Sequence, residues 1–329
     1  MSASRQRWRR VRRVAYFAFL ALVAVLLVRY GRSVDWPQVG ATLAGYGAGT
    51  LALAVGLALG SYALYACYDL AARRFAGHAL ATPRVMAIAT IAYAFSLNVG
   101  ALVGGAGFRY RMYSRAGLGL GTIGRIVAFA IGTNWMGYLL LAGALFASGR
   151  LRTPPQWPVS GAQLPWLGTA MLLLVVAYLL ACRLSRGREW QVRGHALRLP
   201  PVTLALLQLL LGSANWALMG ALLFVLMPSG VDYATVLGAL LVSAVASAIA
   251  HIPAGIGVME AVFLPMLGHQ APQAQLLAAL LAYRACYYLG PLLLAVAGYA
   301  ATEARRRRGN AAMSDSQGTG HRDDRAPTR

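Results

Sequence analysis

The sequence predicts an all-α integral membrane protein with about six full transmembrane helices and two broken, re-entrant helical hairpins. Of the 329 residues, 59% are hydrophobic and 12% are charged, whereas roughly 25% of the residues in a soluble domain are charged. Apolar stretches close to the roughly 20 residues that cross a bilayer recur along the whole chain. Two predicted hairpins have glycine-rich segments near their middle, and paired broken helices are typical of inverted repeats in transporters.

The apolar stretches form eight elements, whose ends the pattern defines to within several residues. The first element follows an arginine-rich arm and lacks small residues at a cleavage site, so we expect an uncleaved span. The eight elements cover residues 14–28, 49–70, 85–103, 122–147, 164–183, 202–227, 233–267 and 276–302.

The arginines indicate how these elements cross the membrane, because basic residues tend to stay on the cytoplasmic side. Eight single crossings would put several arginine-bearing segments outside. The conflict disappears if 85–117 is a hairpin that enters from the cytoplasm and 233–267 is one that enters from the opposite side. Six full spans then remain, and both termini are cytoplasmic. The predicted organisation is a basic arm (1–13), a transmembrane domain (14–302) with inverted halves of about 14–148 and 164–302, and a disordered cytoplasmic tail (303–329).

Glycines at the two predicted breaks occupy corresponding places, because each hairpin is third among the four elements of its half. Irregular backbone at membrane depth needs protein or water around its N–H and C=O groups, so two breaks predict a shared cavity. Glycine and proline also occur in unbroken membrane helices, and a chance match is the alternative. The predicted break residues are Gly104, Gly105 and Gly107 in the first hairpin and Pro253, Gly255 and Gly257 in the second.

The first cluster of candidate functional residues follows the first break. Arg109 and Arg111 carry planar donor forks suited to phosphate, and with Tyr113 they are candidates for binding a lipid head group. The alternative is that the arginines are ordinary cytoplasmic anchors and that Tyr110 and Tyr113 are aromatic residues of the membrane interface. Asp69 lies near a predicted helix end and is expected at the interface as well.

The second cluster is built around Glu260, a carboxylate that follows the second break inside an apolar segment. A buried carboxylate takes a proton or finds a cation, and Arg284 is the candidate partner, with Tyr283 beside it. The pair is either a structural ion pair or a direct contact to substrate, and both readings stay open. His251 has no second histidine or carboxylate at metal-ligand spacing, so no metal site is predicted.

Composition and motifs argue against several function classes. The chain has no lysine, which excludes a lysine nucleophile or a P-loop lysine, and it lacks G-x-S-x-G, H-E-x-x-H and Walker A motifs. We therefore expect neither an enzyme nor a cofactor. The net charge is +21, and the arginines that produce it lie mainly at the ends of apolar segments. Arginines in such positions indicate contact with anionic lipid head groups rather than binding of nucleic acid. Cys67, Cys182 and Cys286 are expected to be packing residues, and Asn134 and Asn215 to form interhelical hydrogen bonds.

Three segments together resemble the transmembrane-region family of lysylphosphatidylglycerol synthases. This family includes the flippase half of multiple peptide resistance factor proteins and also proteins that consist of the membrane region alone. The three segments are 104–117 (GGAGFRYRMYSRAG), 253–260 (PAGIGVME) with Phe263 and Gly268, and 283–291 (YRACYYLGP), and the resemblance spans roughly residues 10–302. It implies a bacterial inner-membrane protein that handles lipid. The positions that match the motifs are Arg109, Arg111, Tyr113, Pro253, Gly255, Gly257, Glu260, Tyr283 and Arg284.

The resemblance implies a flippase for a polar-headed lipid, either a phospholipid or an isoprenoid-linked lipid. Only a short polar tail follows residue 302, so the aminoacyl-transferring domain of two-domain relatives is not expected, and lysyl-lipid synthesis is not inherited from the family name. One alternative is an accessory protein that presents lipid to a separate biosynthetic enzyme. Another is an intramembrane lipid-modifying enzyme with Glu260 or His251 as acid–base group. The expected partners are membrane lipids and, in the accessory case, that enzyme.

Overall fold

The computed structural model describes residues 35–151, 153–154, 157, 160–185, 189–192, 195–250 and 255–300. The predicted basic arm, the first span, His251, Pro253 and the C-terminal tail lie outside the described residues. The predictions for these parts therefore stay predictions.

The described part of the chain is almost entirely helical. Ten α-helices are joined by two π-helical segments and one short β-ribbon, and the helix that begins with α10 runs on through the second π segment to Ala300. We call this continuous helix, Gln273–Ala300, the last helix. The elements are α1 (Trp36–Ala44), α2 (Ala48–Ala76), α3 (Thr82–Val99), π1 (Ala101–Ala106), α4 (Gly107–Arg115), α5 (Leu120–Ala147), α6 (Leu164–Ser185), β1 (Glu189–Val192), β2 (His195–Arg198), α7 (Val202–Leu226), α8 (Tyr233–Ala250), α9 (Val258–Leu267), α10 (Gln273–Arg284) and π2 (Ala285–Leu289).

Six helices of the described residues are long and apolar enough to cross a bilayer, namely α2, α5, α6, α7, α8 and the last helix. Five of them correspond to predicted full spans. The sixth, α8, was predicted as one arm of a hairpin, yet its 18 residues satisfy the same requirements of length and composition. The chain is thus an all-helical membrane protein. The β-ribbon, which pairs Glu189 with Arg198 and Val192 with His195, lies in the predicted cytoplasmic loop and was not foreseen.

The chain reverses direction between α3 and α4, and we call the unit α3–π1–α4 hairpin one. The reversal occurs at Gly100, whose φ of +101° ends α3, and not at the predicted break residues. Gly104 and Gly105 instead lie on the returning arm, where a Cβ on Gly104 would be 2.1 Å from the Phe95 carbonyl oxygen. Gly107 is the first residue of α4. Glycine is needed here chiefly because two backbones touch.

A second reversal joins α8 to α9, and we call this unit hairpin two. Gly255 and Gly257 both have positive φ, of +59° and +82°, as expected for residues at a break. A Cβ on Gly255 would be 2.8 Å from the Ser247 hydroxyl of α8. The second arm therefore packs directly against the first, as α9 does against α8. How either hairpin lies relative to the bilayer stays a prediction.

The remaining helices form the bundle that supports both hairpins. Helix α2 packs against α7, and α5 packs between α6 and α7. The α5–α7 crossing is close, because a Cβ on Gly137 would be 2.2 Å from the backbone of Gly212. After α5 the chain folds inward, and Leu151 is only 4% exposed where it fills the space beside Gly238 of α8.

Replacing Gly104 with alanine tests the close contact inside hairpin one. We expect Gly104→Ala to lower the free energy of unfolding by about 1–3 kcal/mol, the usual cost of forcing extra atoms into a packed site. Thermal unfolding of the detergent-solubilised protein measures the change. Gly121→Ala in α5 is the matched control, because a Cβ there meets nothing within 4 Å. An equal melting temperature for the two variants would contradict the packing described.

Candidate functional site

Glu260 is positioned by the start of α9. It is the third residue of that helix, and its carboxylate accepts a hydrogen bond from the Gly257 N–H at 2.9 Å. A carboxylate at this position satisfies a backbone donor that the helix itself leaves free, and it also meets the positive end of the helix dipole. The left-handed backbone of Gly257 allows the chain to enter the helix in this geometry. The break in hairpin two and its charged residue are therefore one structural unit.

Arg284 connects this unit to the last helix. Its Nη1 donates to Glu260 Oε1, and its Nη2 donates to Glu260 Oε2 at 3.0 Å and to the Gly255 carbonyl at 3.3 Å. The Arg284 and Glu260 side chains are 13% and 12% exposed. The predicted ion pair is confirmed, and it also binds the backbone of the break. A bidentate arginine–carboxylate pair of this kind is strong and directional.

Arg284 and its neighbour in the chain each have a buried donor without a partner. Among the described residues, Arg284 Nε and the Tyr283 hydroxyl are buried and make no hydrogen bond. Buried polar groups are nearly always satisfied in folded proteins, and exceptions often mark functional positions. The site therefore has hydrogen-bonding capacity beyond what its own ion pair uses.

Hairpin one has a different ion pair, which the sequence did not reveal. Arg109 of α4 donates from Nε and Nη2 to Asp69 of α2 at 3.0 and 2.9 Å, and the Tyr113 hydroxyl donates to the same carboxylate at 2.9 Å. Asp69 is fully buried and Arg109 is 3% exposed. Asp69 is therefore enclosed by protein and does not lie at the helix end, since α2 continues for seven residues beyond it. Its depth in the bilayer stays a prediction. The fork of Arg109 that was assigned to phosphate is occupied by this carboxylate.

Arg111 lies on the opposite side of α4 from Arg109, because residues two apart on a helix do not share a face. Arg111 is exposed, and its guanidinium lies 5.5 Å from the ring centre of Tyr299 near the end of the last helix. Arg115 donates to the Tyr299 hydroxyl at 3.3 Å. The structure thus does not bring Arg109 and Arg111 together in one pocket. Arg111 faces the surface, and Arg109 and Tyr113 face the core.

A hydroxyl network joins hairpin one to the bundle and the last helix. The Ser61 hydroxyl donates to Asn215 Oδ1 at 2.7 Å and lies 2.6 Å from the Tyr287 hydroxyl, which is 2.8 Å from the Tyr93 hydroxyl. Because Ser61 uses its proton on Asn215, Tyr287 donates to Ser61. Four elements, α2, α3, α7 and π2, meet in this network. The expected interhelical role of Asn215 is confirmed, whereas the tyrosines were not recognised from the sequence.

Aromatic rings continue the connection between the two ion pairs. Arg109 lies 5.4 Å from the ring centre of Tyr65, which stacks on Tyr93 with centroids 3.5 Å apart. Tyr287 in turn stacks on Tyr283 at 5.4 Å, next to Arg284. A signal for this cluster was present in the sequence, because tyrosines at 62, 65 and 68 recur at helical spacing within a single apolar span.

Neutralising Asp69 tests the buried pair of hairpin one. We expect Asp69→Asn to lower the free energy of unfolding by about 3–5 kcal/mol, because removing one partner leaves Arg109 as an uncompensated buried charge. The double variant Asp69→Asn/Arg109→Gln should recover part of this loss. Thermal unfolding in detergent measures both. The exposed Asp232, replaced by asparagine, is the control. A double variant no more stable than Asp69→Asn alone would contradict the pairing.

Comparison with known proteins shows sequence similarity along nearly the whole length of the chain. The model of the lysylphosphatidylglycerol synthase transmembrane region matches residues 16–295. The inner membrane protein YbhN of Escherichia coli (strain K12) is 45% identical over 309 residues, which are 94% of this chain and 97% of that protein. The uncharacterized protein slr0712 of Synechocystis sp. is 28% identical over 324 residues, with 94% and 99% covered.

These matches confirm the resemblance that the three sequence segments indicated. Together with the six apolar helices, they identify a multi-pass protein of the inner membrane. The chain therefore belongs to the family of lysylphosphatidylglycerol synthase transmembrane regions.

Proposed function

We propose that this protein moves a polar-headed lipid between the two leaflets of a bacterial inner membrane, with the Glu260–Arg284 site as the internal position of the head group. The observation that carries the proposal is a charged pair at a helix break that is only partly buried, with side chains 12–13% exposed, and that has a donor without a partner. Ionisable groups within membrane helices are costly and are kept mainly along substrate or ion paths.

The lipid tails would remain in the bilayer while the head group passes the site. Large apolar side chains near the break are exposed to the surroundings, including Ile256 at 47% and Leu289 of the last helix at 54%. In a membrane such side chains contact acyl chains. A polar site that opens beside an apolar surface suits a molecule with a charged head and a hydrocarbon body.

The roles of the candidate residues divide between binding and anchoring. We assign contact with the head group to Arg284, Tyr283 and Glu260, since their polar groups are partly open or unsatisfied. Arg111, on the exposed face of α4, suits a first contact with lipid phosphate at the membrane surface. Arg109 and Tyr113 are engaged by Asp69, and we assign them to holding hairpin one in place.

The family description names a lysylphosphatidylglycerol synthase, which makes a phospholipid the first substrate class to examine, with isoprenoid-linked lipids as the second. The two hairpins, predicted to enter from opposite sides, suit alternating exposure of one central site. We further propose that both termini are cytoplasmic and that the protein itself catalyses no chemical reaction on the lipid.

Leaflet exchange in proteoliposomes tests the proposal. The purified protein is reconstituted with head-group-labelled phosphatidylglycerol, and a membrane-impermeant quencher removes the fluorescence of the outer leaflet at once. The slower loss of the remaining, inner-leaflet fluorescence then gives the rate of exchange. We expect wild type to accelerate exchange. Glu260→Gln and Arg284→Ala should slow it at least about tenfold, because each removes a charged group that we assign to contact with the head group, and a hydrogen bond to a charged group is worth about 1.5–3 kcal/mol.

The controls are Asp232→Asn and Arg125→Ala, which replace one exposed acid and one exposed arginine instead of the acid and the arginine of the site. Both control variants should exchange lipid at the wild-type rate. Exchange at wild-type rates by folded Glu260→Gln and Arg284→Ala would contradict the assigned site. Binding of labelled lipid without exchange would favour an accessory protein that presents lipid to an enzyme. Chemical conversion of the lipid by pure protein would favour an intramembrane enzyme.

A further inference from the structure

The last helix contains a π-helical segment, π2, between α10 and the residues that follow it. A π turn places one extra residue in the helix, so that hydrogen bonds span five residues instead of four. Such segments are rare and occur frequently at functional sites. Here π2 begins at the residue after Arg284, which holds hairpin two.

Side chains from two other elements hold π2 in this geometry. The Tyr287 carbonyl accepts a hydrogen bond from the Tyr62 hydroxyl of α2 at 3.1 Å, and the Tyr288 carbonyl accepts one from Asn98 Nδ2 of α3 at 3.2 Å. The Tyr287 hydroxyl lies 2.8 Å from the Tyr93 hydroxyl, also on α3. Hairpin one therefore binds π2 by side chain and by backbone.

We infer that π2 is a two-state element that couples hairpin one to hairpin two. On one side of it Arg284 binds Glu260 and the Gly255 carbonyl, and on the other side Asn98 and Tyr62 bind its carbonyls. Conversion of the π turn to α-helix removes one residue from the turn, and one residue corresponds to a rotation of about 100° around the helix axis. The contacts on both sides cannot survive that rotation together, so release of either hairpin favours the other register.

This inference deepens the proposed function, because alternating access requires the two sides of a path to move in a coordinated way. It is tested without any movement of lipid. Cys286 lies within π2 and is partly exposed, so its reaction with a thiol reagent reports the state of the segment. Replacing Cys67 and Cys182 with alanine leaves Cys286 as the single thiol of the chain.

In this background, Tyr62→Phe/Asn98→Ala removes both side-chain bonds to the π2 carbonyls. We expect the labelling rate of Cys286 with a small maleimide to change at least about fivefold, because the hydrogen bonds that hold the observed register are lost. The matched control is Tyr178→Phe/Ser213→Ala, which removes side-chain hydrogen bonds to Gln208 and to the Gly137 carbonyl among α5, α6 and α7, outside both hairpins. The control should label at the rate of the parent protein.

Coupling is measured from both ends. Glu260→Gln should change Cys286 labelling in the same direction as Tyr62→Phe/Asn98→Ala. Conversely, Tyr62→Phe/Asn98→Ala should change labelling of Ile256→Cys on hairpin two, measured in a variant that lacks the three native cysteines. Circular dichroism and gel filtration confirm that each variant is folded.

Equal Cys286 labelling in Tyr62→Phe/Asn98→Ala and its control would overturn the inference. A change confined to Cys286, with Ile256→Cys unaffected, would overturn the coupling between the hairpins. Coupled labelling in a protein that exchanges no lipid would support the inference and count against the proposed function alone.

Discussion

Charges inside an apolar helix bundle need partners, and this requirement determines how both hairpins are held. Hairpin one supplies an arginine to a carboxylate of the bundle, Arg109 to Asp69, and hairpin two supplies a carboxylate to an arginine, Glu260 to Arg284. The second arms, α4 and α9, have only nine and ten residues. Helices of that length are marginal by themselves in water, so each depends on packing and on its ion pair for its position.

The two pairs differ in how completely they are enclosed. The Asp69 and Arg109 side chains are 0% and 4% exposed, and Tyr113 adds a further donor to the carboxylate. The Glu260–Arg284 pair is partly open and leaves Arg284 Nε unsatisfied. A buried pair is expensive to separate because each charge loses its only counterion. The enclosed pair therefore suits a permanent anchor, and the open pair suits a place where one partner can be exchanged for a ligand.

Much of this architecture could be predicted from the sequence, because hydropathy and the cost of intramembrane charge are local properties. Hydropathy identified the apolar helices. The cost of intramembrane charge identified the Glu260–Arg284 pair, because each of the last two apolar segments contains one of these charged residues. Asp69 escaped because its predicted helix ended one residue later, which made it look interfacial. The reversal was predicted at Gly104 although it occurs at Gly100. The sequence alone cannot distinguish a glycine at which the chain turns from one that allows two backbones to come into contact.

The hydroxyl network and the π segments could not be predicted by these rules. Tyrosine in a membrane protein usually lies at the interface, and only the tertiary fold brings Tyr93 and Tyr287 together in the core. The hydrogen-bond register of π2 likewise depends on donors from α2 and α3 that are distant in sequence. Resemblance to the family pointed to the residues beside π2 without indicating their geometry.

The inward fold of the chain after α5 gives the connection between α5 and α6 a structural role. Leu151 fills the space beside Gly238 on the first arm of hairpin two, and a Cβ on that glycine would be 2.6 Å from the leucine side chain. If the protein were divided into two separately expressed fragments by a cut at the end of α5, Leu151 would lie close to the free end of the second fragment. It would then no longer be tethered by α5 in the space beside Gly238, and the surface on which α8 packs would be less firmly completed.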